Sequence, residues 1–388
     1  MVIAINQRNT GLDVLRAAAI LMVVLRHSLI ILQPVRELGT ATENIFLVLQ
    51  TGGVFGVELF FVLSGFLIGS ILIKLYNDNG GLSFSALKEF WVRRWFRTLP
   101  NYFLVLTVIV LINHFFSFNG CSGRDFLAYY FFSQNLFSPH SENCFGEAWS
   151  LSVEEWFYIL FPLGLFLLTK IFSGFKKPGG FLKYLLVFFV VFLLLRIIAF
   201  VSFEYLGFYA VRTIVSLRLD AIAWGVLWAY VSIQRPDLFH KKRVAFLTLG
   251  SALLAFCLIY VVMDLKGIQG WWYVPAFHSI FLFSVISAGF GFLLPAFYSI
   301  KQLPARIGRM VEHISKTSYS LYLIHLSLVF YFFEEWLIRP SIPAALLAFG
   351  AYWVGCLLFA SLLYKYYELP MMNLRDKVMS TGGERSEP

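Results

Sequence analysis

The sequence predicts an all-α membrane protein, a polytopic bundle of about ten transmembrane helices. The chain has 388 residues, of which 59% are hydrophobic and only 14% are charged, and its mean hydropathy is +0.75. A soluble domain of this length needs far more polar surface. Apolar runs of about 20 residues, the length that crosses roughly 30 Å of hydrocarbon, recur along the whole chain.

The predicted spans follow one another with mostly short connections. They cover residues 12–33, 45–73, 100–117, 149–169, 182–203, 211–231, 244–263, 273–297, 317–338 and 342–364. Residues 1–370 are therefore predicted to form one membrane domain, and residues 371–388 a disordered cytoplasmic tail.

The basic residues predict the orientation of this bundle. Of the 31 lysines and arginines, 22 lie in the N-terminal segment, the even-numbered loops and the C-terminal tail, whereas four lie in the other loops. By the positive-inside rule, both termini are predicted to be cytoplasmic. The net charge of +9 then reflects the orientation of the protein in the membrane. We therefore expect contact with membrane lipids and no nucleic-acid partner.

The cysteines and histidines give no metal-binding pattern, since the sequence contains neither a CxxC pair nor an HExxH motif. We therefore expect no metal. Cys121 and Cys144 both fall in the longest loop predicted to face outward. They can form a disulfide in an oxidising compartment or remain two thiols in a reducing one.

The first predicted span carries four ionisable residues in the stretch "GLDVLRAAAILMVVLRHS": Asp13, Arg16, Arg26 and His27. Each such group near the middle of a bilayer costs about 2.5–3.5 kcal/mol on insertion scales. Arg16 and His27 are eleven positions apart, so the two share one helix face about 16 Å apart. Asp13 lies within reach of Arg16. These groups either serve chemistry or pair with Glu58 or Glu154 to hold the bundle together.

A cluster of arginines follows in "RRWFRTLP", which contains Arg93, Arg94 and Arg97. Guanidinium groups bind phosphate oxygens in a bidentate manner, so the cluster is a candidate phosphate site. The alternative is ordinary topogenic charge or contact with anionic lipids.

Two acidic segments provide candidate carboxylates. In "GVELFFVLSGFLIG", Glu58 stands in apolar surroundings, while Ser64 and Gly65 allow close helix approach. In "WSLSVEEWFY", the spacing of Ser152 and Glu155 matches a capping box. That spacing favours a structural role for Glu155 and leaves Glu154 available for chemistry.

The remaining candidates lie deep in later spans. The segment "SYSLYLIH" places Tyr322 and His325 in the ninth span, where a histidine that bonds a neighbouring helix is the simpler interpretation. "RLDAIAWG" contains Arg218 and Asp220, which are most simply buried charges with partners elsewhere.

Together these stretches resemble the membrane-bound acyltransferase 3 family, integral-membrane enzymes that O-acylate bacterial surface carbohydrates and some secondary metabolites. The resemblance runs from "LDVLRAAAILMVVLRH" to "YYELP" and depends on five segments in order. They are the Arg-x10-His first helix, "FFVLSGF", the RxxR motif followed by proline, the segment that begins at Trp149, and the segment that ends at His325.

The resemblance implies an acyl-CoA donor, by default acetyl-CoA, that binds from the cytoplasm to a multi-pass protein of the bacterial inner membrane. It implies an acceptor hydroxyl on the extracytoplasmic side, usually of a carbohydrate, with His27 as the catalytic base. Arg16 and the arginines of the RxxR motif would bind the donor or support the fold. Glu58 or Glu154 could orient His27. Direct transfer and a transient acyl-histidine both remain open.

Two features qualify the resemblance. The residue before the family histidine is typically apolar, but here it is Arg26, which could pair with a carboxylate, contact an anionic acceptor or act on His27. The sequence also suggests a stand-alone membrane module without a hydrolase-like extracytoplasmic domain. The competing functional hypothesis is a transporter or flippase whose intramembrane charges line a substrate path, although neither inverted repeats nor matched helix interruptions are evident.

Overall fold

The fold is taken from a computed structural model that describes residues 8–116, 121, 123–139, 144–177, 179–203, 207–268, 270, 273–331 and 333–375. Within these ranges the structure is helical and contains no strand. Its ten long helices are α1 Thr10–Ser28, α2 Thr40–Asn79, α3 Phe84–Phe116, α4 Ala148–Ile171, α5 Gly180–Ser202, α6 Leu219–Gln234, α7 Arg243–Leu265, α8 Phe277–Tyr298, α9 Ala305–Ile324 and α10 Ile342–Leu363. Each overlaps one predicted span, so the predicted helical membrane bundle is confirmed.

Eight of the described helices, rather than ten, are long and apolar enough to cross a membrane. The two exceptions are α6 and α9. Helix α6 has only 16 residues, because the short helix Phe208–Thr213 and a turn at Val215–Leu217 precede it. Helix α9 carries two arginines, a glutamate and a lysine between Arg306 and Lys316, which makes this part of the helix too polar to cross a membrane.

The last helix extends past residue 370, the predicted end of the membrane domain. Helix α10 continues through a π-helical turn at Tyr364–Glu368, and residues 369–375 remain helical. Residues 376–388 lie outside the described part of the chain.

Helix α2 forms the centre of the bundle and packs against α1 and α6. Gly65 on α2 and Gly225 on α6 permit the second contact. A Cβ atom at Gly65 would collide with the carbonyl group of Ile222, and one at Gly225 would collide with that of Val62. Glycine at both positions lets the two backbones approach closely, which agrees with the close approach predicted at Ser64 and Gly65.

The helix connections define two ends of the bundle. We call the end where α1 begins the basic end, since Arg8, Lys301 and the start of α3 lie there. There Thr10 donates a hydrogen bond to the Lys301 carbonyl oxygen at 2.9 Å. At the opposite end, the disulfide end, Cys121 and Cys144 form a disulfide with their Cα atoms 5.8 Å apart. This bond fixes the segment 144–147 that leads into α4.

Candidate active site

Two cavities lie in series inside the bundle. The arginine cavity, of about 90 Å³, is lined by Arg16, Ser64, Arg94, Arg97, Glu154 and Tyr322, among others. The histidine cavity, of about 210 Å³, is lined by Arg26, His27, Glu147, Trp149, Arg212, Tyr322 and His325, among others. Val57 and Tyr322 line both, so the two spaces adjoin at these residues.

His27 is held by a second histidine. Its Nδ1 lies 3.0 Å from Nε2 of His325, and Nδ1 of His325 lies 2.7 Å from the carbonyl oxygen of Tyr322. A carbonyl can only accept, so His325 must carry its proton on Nδ1, and the neutral ring then accepts at Nε2. The donor in the first bond is therefore Nδ1 of His27. This assignment leaves Nε2 of His27 unprotonated, as a general base requires.

The carboxylates expected beside His27 have other partners. Glu58 is fully buried, and both of its carboxylate oxygens lie 2.5 Å from Nη2 of Arg218. Ser287 also donates to Glu58 at 3.1 Å. Within the described chain, His325 rather than Glu58 contacts the His27 ring, and the expected contact with Glu58 is not formed.

Glu154 belongs to the arginine cavity instead. The hydroxyl of Tyr158 donates to Glu154 at 2.9 Å, and Nη2 of Arg94 lies 4.0 Å from the same carboxylate. Arg94 also donates to the Tyr158 hydroxyl and, at 3.4 Å, to Ser64. The guanidinium carbon lies 4.2 Å from the centre of the Tyr158 ring. These contacts fix Arg94 at the cavity wall and explain why Ser64 and Glu154 lie beside it.

The capping box predicted at Ser152 and Glu155 is wrong, because α4 begins at Ala148, four residues earlier. The hydroxyl of Ser152 donates to the Ala148 carbonyl oxygen at 3.2 Å inside the helix. Glu155 accepts a hydrogen bond from Thr98 at 2.8 Å. Glu155 thus has a structural contact, as predicted, but the contact joins α4 to α3.

Arg16 is oriented by Asp13, as expected from their spacing. Nη1 of Arg16 lies 3.6 Å from Asp13 Oδ1 and 3.3 Å from the hydroxyl of Ser315. Asp13 is itself held by Ser315, at 2.6 Å, and by Arg8, at 2.5 Å. This network ties α1 to α9 and points Arg16 into the arginine cavity.

The three arginines of "RRWFR" do not all line the same cavity. Arg94 and Arg97 line the arginine cavity, whereas Arg93 is exposed and pairs with Glu89 at 2.9 Å. The expectation that Arg93 belongs to the site is therefore not met, because successive residues of a helix point about 100° apart. Within the described chain, no hydrogen bond or ion pair engages the guanidinium of Arg97.

Glu147 is a site residue that the sequence analysis missed. Its carboxylate accepts hydrogen bonds from the amides of Ser327, at 2.9 Å, and Leu326, at 3.2 Å, and from the Ser327 hydroxyl. These amides lie where α9 changes into the π-helical turn His325–Phe330. Burial raises the pKa of the Glu147 carboxyl to about 7. Glu147 stands just before α4, and no motif or periodicity marks it.

Tyr322 lines both cavities, and Trp149 lines the histidine cavity. The hydroxyl of Tyr322 lies 2.6 Å from that of Ser150 and donates to the carbonyl oxygen of Glu147 at 3.2 Å. Trp149 lines the histidine cavity, where its ring centre lies 4.6 Å from the guanidinium carbon of Arg212. Both side chains therefore lie in the cavity walls, held by contacts to neighbouring elements.

The last two charged candidates lie outside the cavities. Arg218 pairs with Glu58, and Asp220 pairs with Arg196 at 2.8 Å. Ser284 donates to Asp220 at 2.5 Å. Across the described residues, no group of histidine, cysteine and acidic side chains is arranged to hold a metal ion.

Comparison with known proteins gives a family match over most of the chain. A family model described as an acyltransferase domain matches residues 9–365. The O-acetyltransferase OatA of Staphylococcus aureus (strain NCTC 8325 / PS 47) is 26% identical over 386 residues, which cover 93% of this chain and 57% of that protein. A putative O-acetyltransferase of Staphylococcus aureus strain COL is 26% identical over 378 residues, covering 93% of this chain and 56% of its own length. The chain thus spans a little over half the length of these relatives. No solved structure matches it.

Proposed function

The chain belongs to the acyltransferase 3 family, and from this membership we propose that it transfers an acetyl group from acetyl-CoA to a hydroxyl group of an acceptor. One observation carries the proposal. A cavity lined by three arginines and a cavity lined by an oriented histidine share Tyr322 and Val57 as their common wall. A long, thin donor with phosphates at one end and a thioester at the other suits this arrangement.

The donor phosphates bind in the arginine cavity. Arg16 and Arg94 are held in place by Asp13 and Tyr158, so their guanidinium groups are oriented before the donor arrives. Arg97 makes no competing bond with the described residues and is available for phosphate. Charge-assisted bonds of this kind are roughly twice as strong as neutral ones. From there the pantetheine arm passes Val57 and Tyr322, the residues that line both cavities, to reach His27.

The reaction takes place at His27. Its Nε2 accepts the proton of the acceptor hydroxyl while the hydroxyl oxygen attacks the carbonyl carbon of the thioester. The carbon–sulfur bond then breaks, and the proton passes from His27 to the sulfur of CoA. The ester and free CoA are the products, and the imidazole returns to its neutral form. His325 acts as a positioning residue, because it fixes the tautomer that exposes Nε2.

The two ends of the bundle have different roles in this proposal. The excess of lysine and arginine at the basic end is typical of a cytoplasmic face, which is where acetyl-CoA is available. The acceptor reaches the histidine cavity from the disulfide end, outside the cytoplasmic membrane, and is a cell-surface carbohydrate. The relatives named as O-acetyltransferases support acetyl as the transferred group.

Replacing Arg97 with glutamine tests the donor site. Loss of one or two charge-assisted hydrogen bonds, each worth about 1.5–3 kcal/mol, is expected to raise the KM for acetyl-CoA by at least about tenfold. The measurement is acetyl transfer by purified protein in lipid vesicles, with labelled acetyl-CoA as donor.

Arg93→Gln is the matched control, since Arg93 stands on the same helix but faces Glu89 outside the cavity. It is expected to leave the KM for acetyl-CoA unchanged. Equal effects of the two substitutions would contradict the donor site. Acceptor movement across the vesicle membrane without acetyl-CoA consumption would favour the transporter hypothesis instead.

A further inference from the structure

We propose that the acceptor carries an anionic group, a carboxylate or a phosphate, close to the hydroxyl that is acetylated, and that Arg26 and Arg212 bind this group. The inference rests on the proposed function, because it concerns the acceptor of the same reaction. It adds a substrate class and two residues that determine specificity.

Arg26 is built into the wall of the histidine cavity. It precedes His27 on α1, and its Nη1 donates to the carbonyl oxygen of Gln50 on α2 at 2.8 Å. Gly53, one turn further along α2, makes room for its side chain, since a Cβ atom there would collide with the aliphatic part of Arg26. Gln50 and Gly53 both line the same cavity. The helix pair thus holds a guanidinium beside the catalytic imidazole.

Arg212 reaches the same cavity from a different element. It lies on the short helix Phe208–Thr213 and is buried, with its guanidinium carbon 4.6 Å from the centre of the Trp149 ring. Stacking on an indole orients a guanidinium without neutralising its charge. Arg26 and Arg212 therefore bring two oriented cations from separate parts of the sequence to one space of about 210 Å³.

The charge of the lining favours an anion. Among the described residues around this cavity, the two arginines face one carboxylate, that of Glu147. Three hydrogen bonds from Ser327 and Leu326 engage that carboxylate, and burial raises its pKa, which favours the neutral form. Among the described lining residues, positive side chains therefore outnumber negative ones, and guanidinium groups are the side chains best suited to carboxylate and phosphate.

Catalysis gives a second reason for an anionic acceptor. His27 becomes positively charged when it takes the hydroxyl proton, and two nearby cations oppose that charge. A carboxylate or phosphate on the acceptor would offset them. The base would then work best when the correct acceptor is bound, whereas a neutral acceptor would leave the repulsion in place.

Calorimetric binding of two matched sugars to the full-length protein tests the inference. The probes are tetragalacturonate and its fully methyl-esterified form, which differ in charge but not in ring or linkage. Without acetyl-CoA neither is consumed. We expect the anionic form to bind at least about tenfold more tightly. Arg26→Gln and Arg212→Gln should each reduce this preference about fivefold or more, and Arg93→Gln should leave it unchanged.

Each outcome is decisive. Equal binding of both sugars, binding of neither, or a preference that survives the double substitution at Arg26 and Arg212 would overturn the inference. Acetyl-CoA affinity, measured on the same preparations, reports correct folding of the variants. It also separates the two claims: a protein that binds and uses acetyl-CoA but does not prefer the anionic sugar retains the proposed function and loses only the anionic acceptor.

Discussion

Replacing His27 with alanine is expected to reduce acetyl transfer about a thousandfold or more while the protein remains folded. The imidazole supplies the base for the acceptor hydroxyl and returns the proton to the leaving sulfur. Positioned acid–base groups contribute about 10²–10⁴-fold to the rate. His27 lies partly open to its cavity and contacts the rest of the site through His325. Its removal therefore leaves the helix contacts of α1 in place.

The matched variant for this experiment is His325→Leu. This change keeps His27 but removes the acceptor that holds its proton on Nδ1, so transfer should fall by a smaller factor, about tenfold to a hundredfold. Acetyl-CoA affinity should stay the same in both variants, since neither residue lines the arginine cavity. Transfer by His27→Ala at more than a tenth of the normal rate would exclude His27 as the base.

Replacing Glu58 with glutamine is expected to destabilise the fold strongly. Glu58 and Arg218 are both fully buried. Nη2 of Arg218, just before α6, lies 2.5 Å from Oε1 of Glu58 on α2. Breaking a buried pair leaves one charge without compensation, which costs about 3–5 kcal/mol. The measurement is the thermal unfolding midpoint of purified protein, which should fall clearly below that of the unchanged chain.

Two further variants separate stability from catalysis. Glu58→Gln combined with Arg218→Gln should recover part of the lost stability, because no isolated charge then remains. Glu154→Gln should affect stability less, since Glu154 faces the arginine cavity and lies 4.0 Å from Arg94. If Glu58→Gln unfolds at the normal temperature but loses transfer, Glu58 would have a catalytic role rather than a structural one.

The sequence predicts helices well because their signal is local. Hydrophobic length alone located ten helices, and the helical repeat indicated that Arg16 and His27 share one face of α1. The two residues indeed line the two cavities in series. The helical repeat also separates Arg93 from Arg94, since adjacent helix positions point in different directions. Treating Arg93, Arg94 and Arg97 as one cluster overlooks this difference in direction.

Partners across the bundle could not be predicted in this way. Glu58 and Arg218 are 160 residues apart, and His27 and His325 are 298 apart, so no spacing rule connects them. Glu58 and Glu154 are both candidates from the sequence to orient His27, yet Glu58 pairs with Arg218 and Glu154 lines the arginine cavity. Glu147 escaped notice because its role depends on backbone amides at the turn after α9, which a one-dimensional pattern does not reveal.

The central claim is that one donor molecule extends from the arginine cavity past Tyr322 to His27. An electron cryomicroscopy structure of the protein with a non-hydrolysable ketone analogue of acetyl-CoA tests it most directly. The account predicts phosphate oxygens about 3 Å from Arg94 and Arg97 and the ketone carbon within about 4 Å of Nε2 of His27. Phosphates bound at the disulfide end, or an analogue that stops on the arginine side of Tyr322, would contradict it.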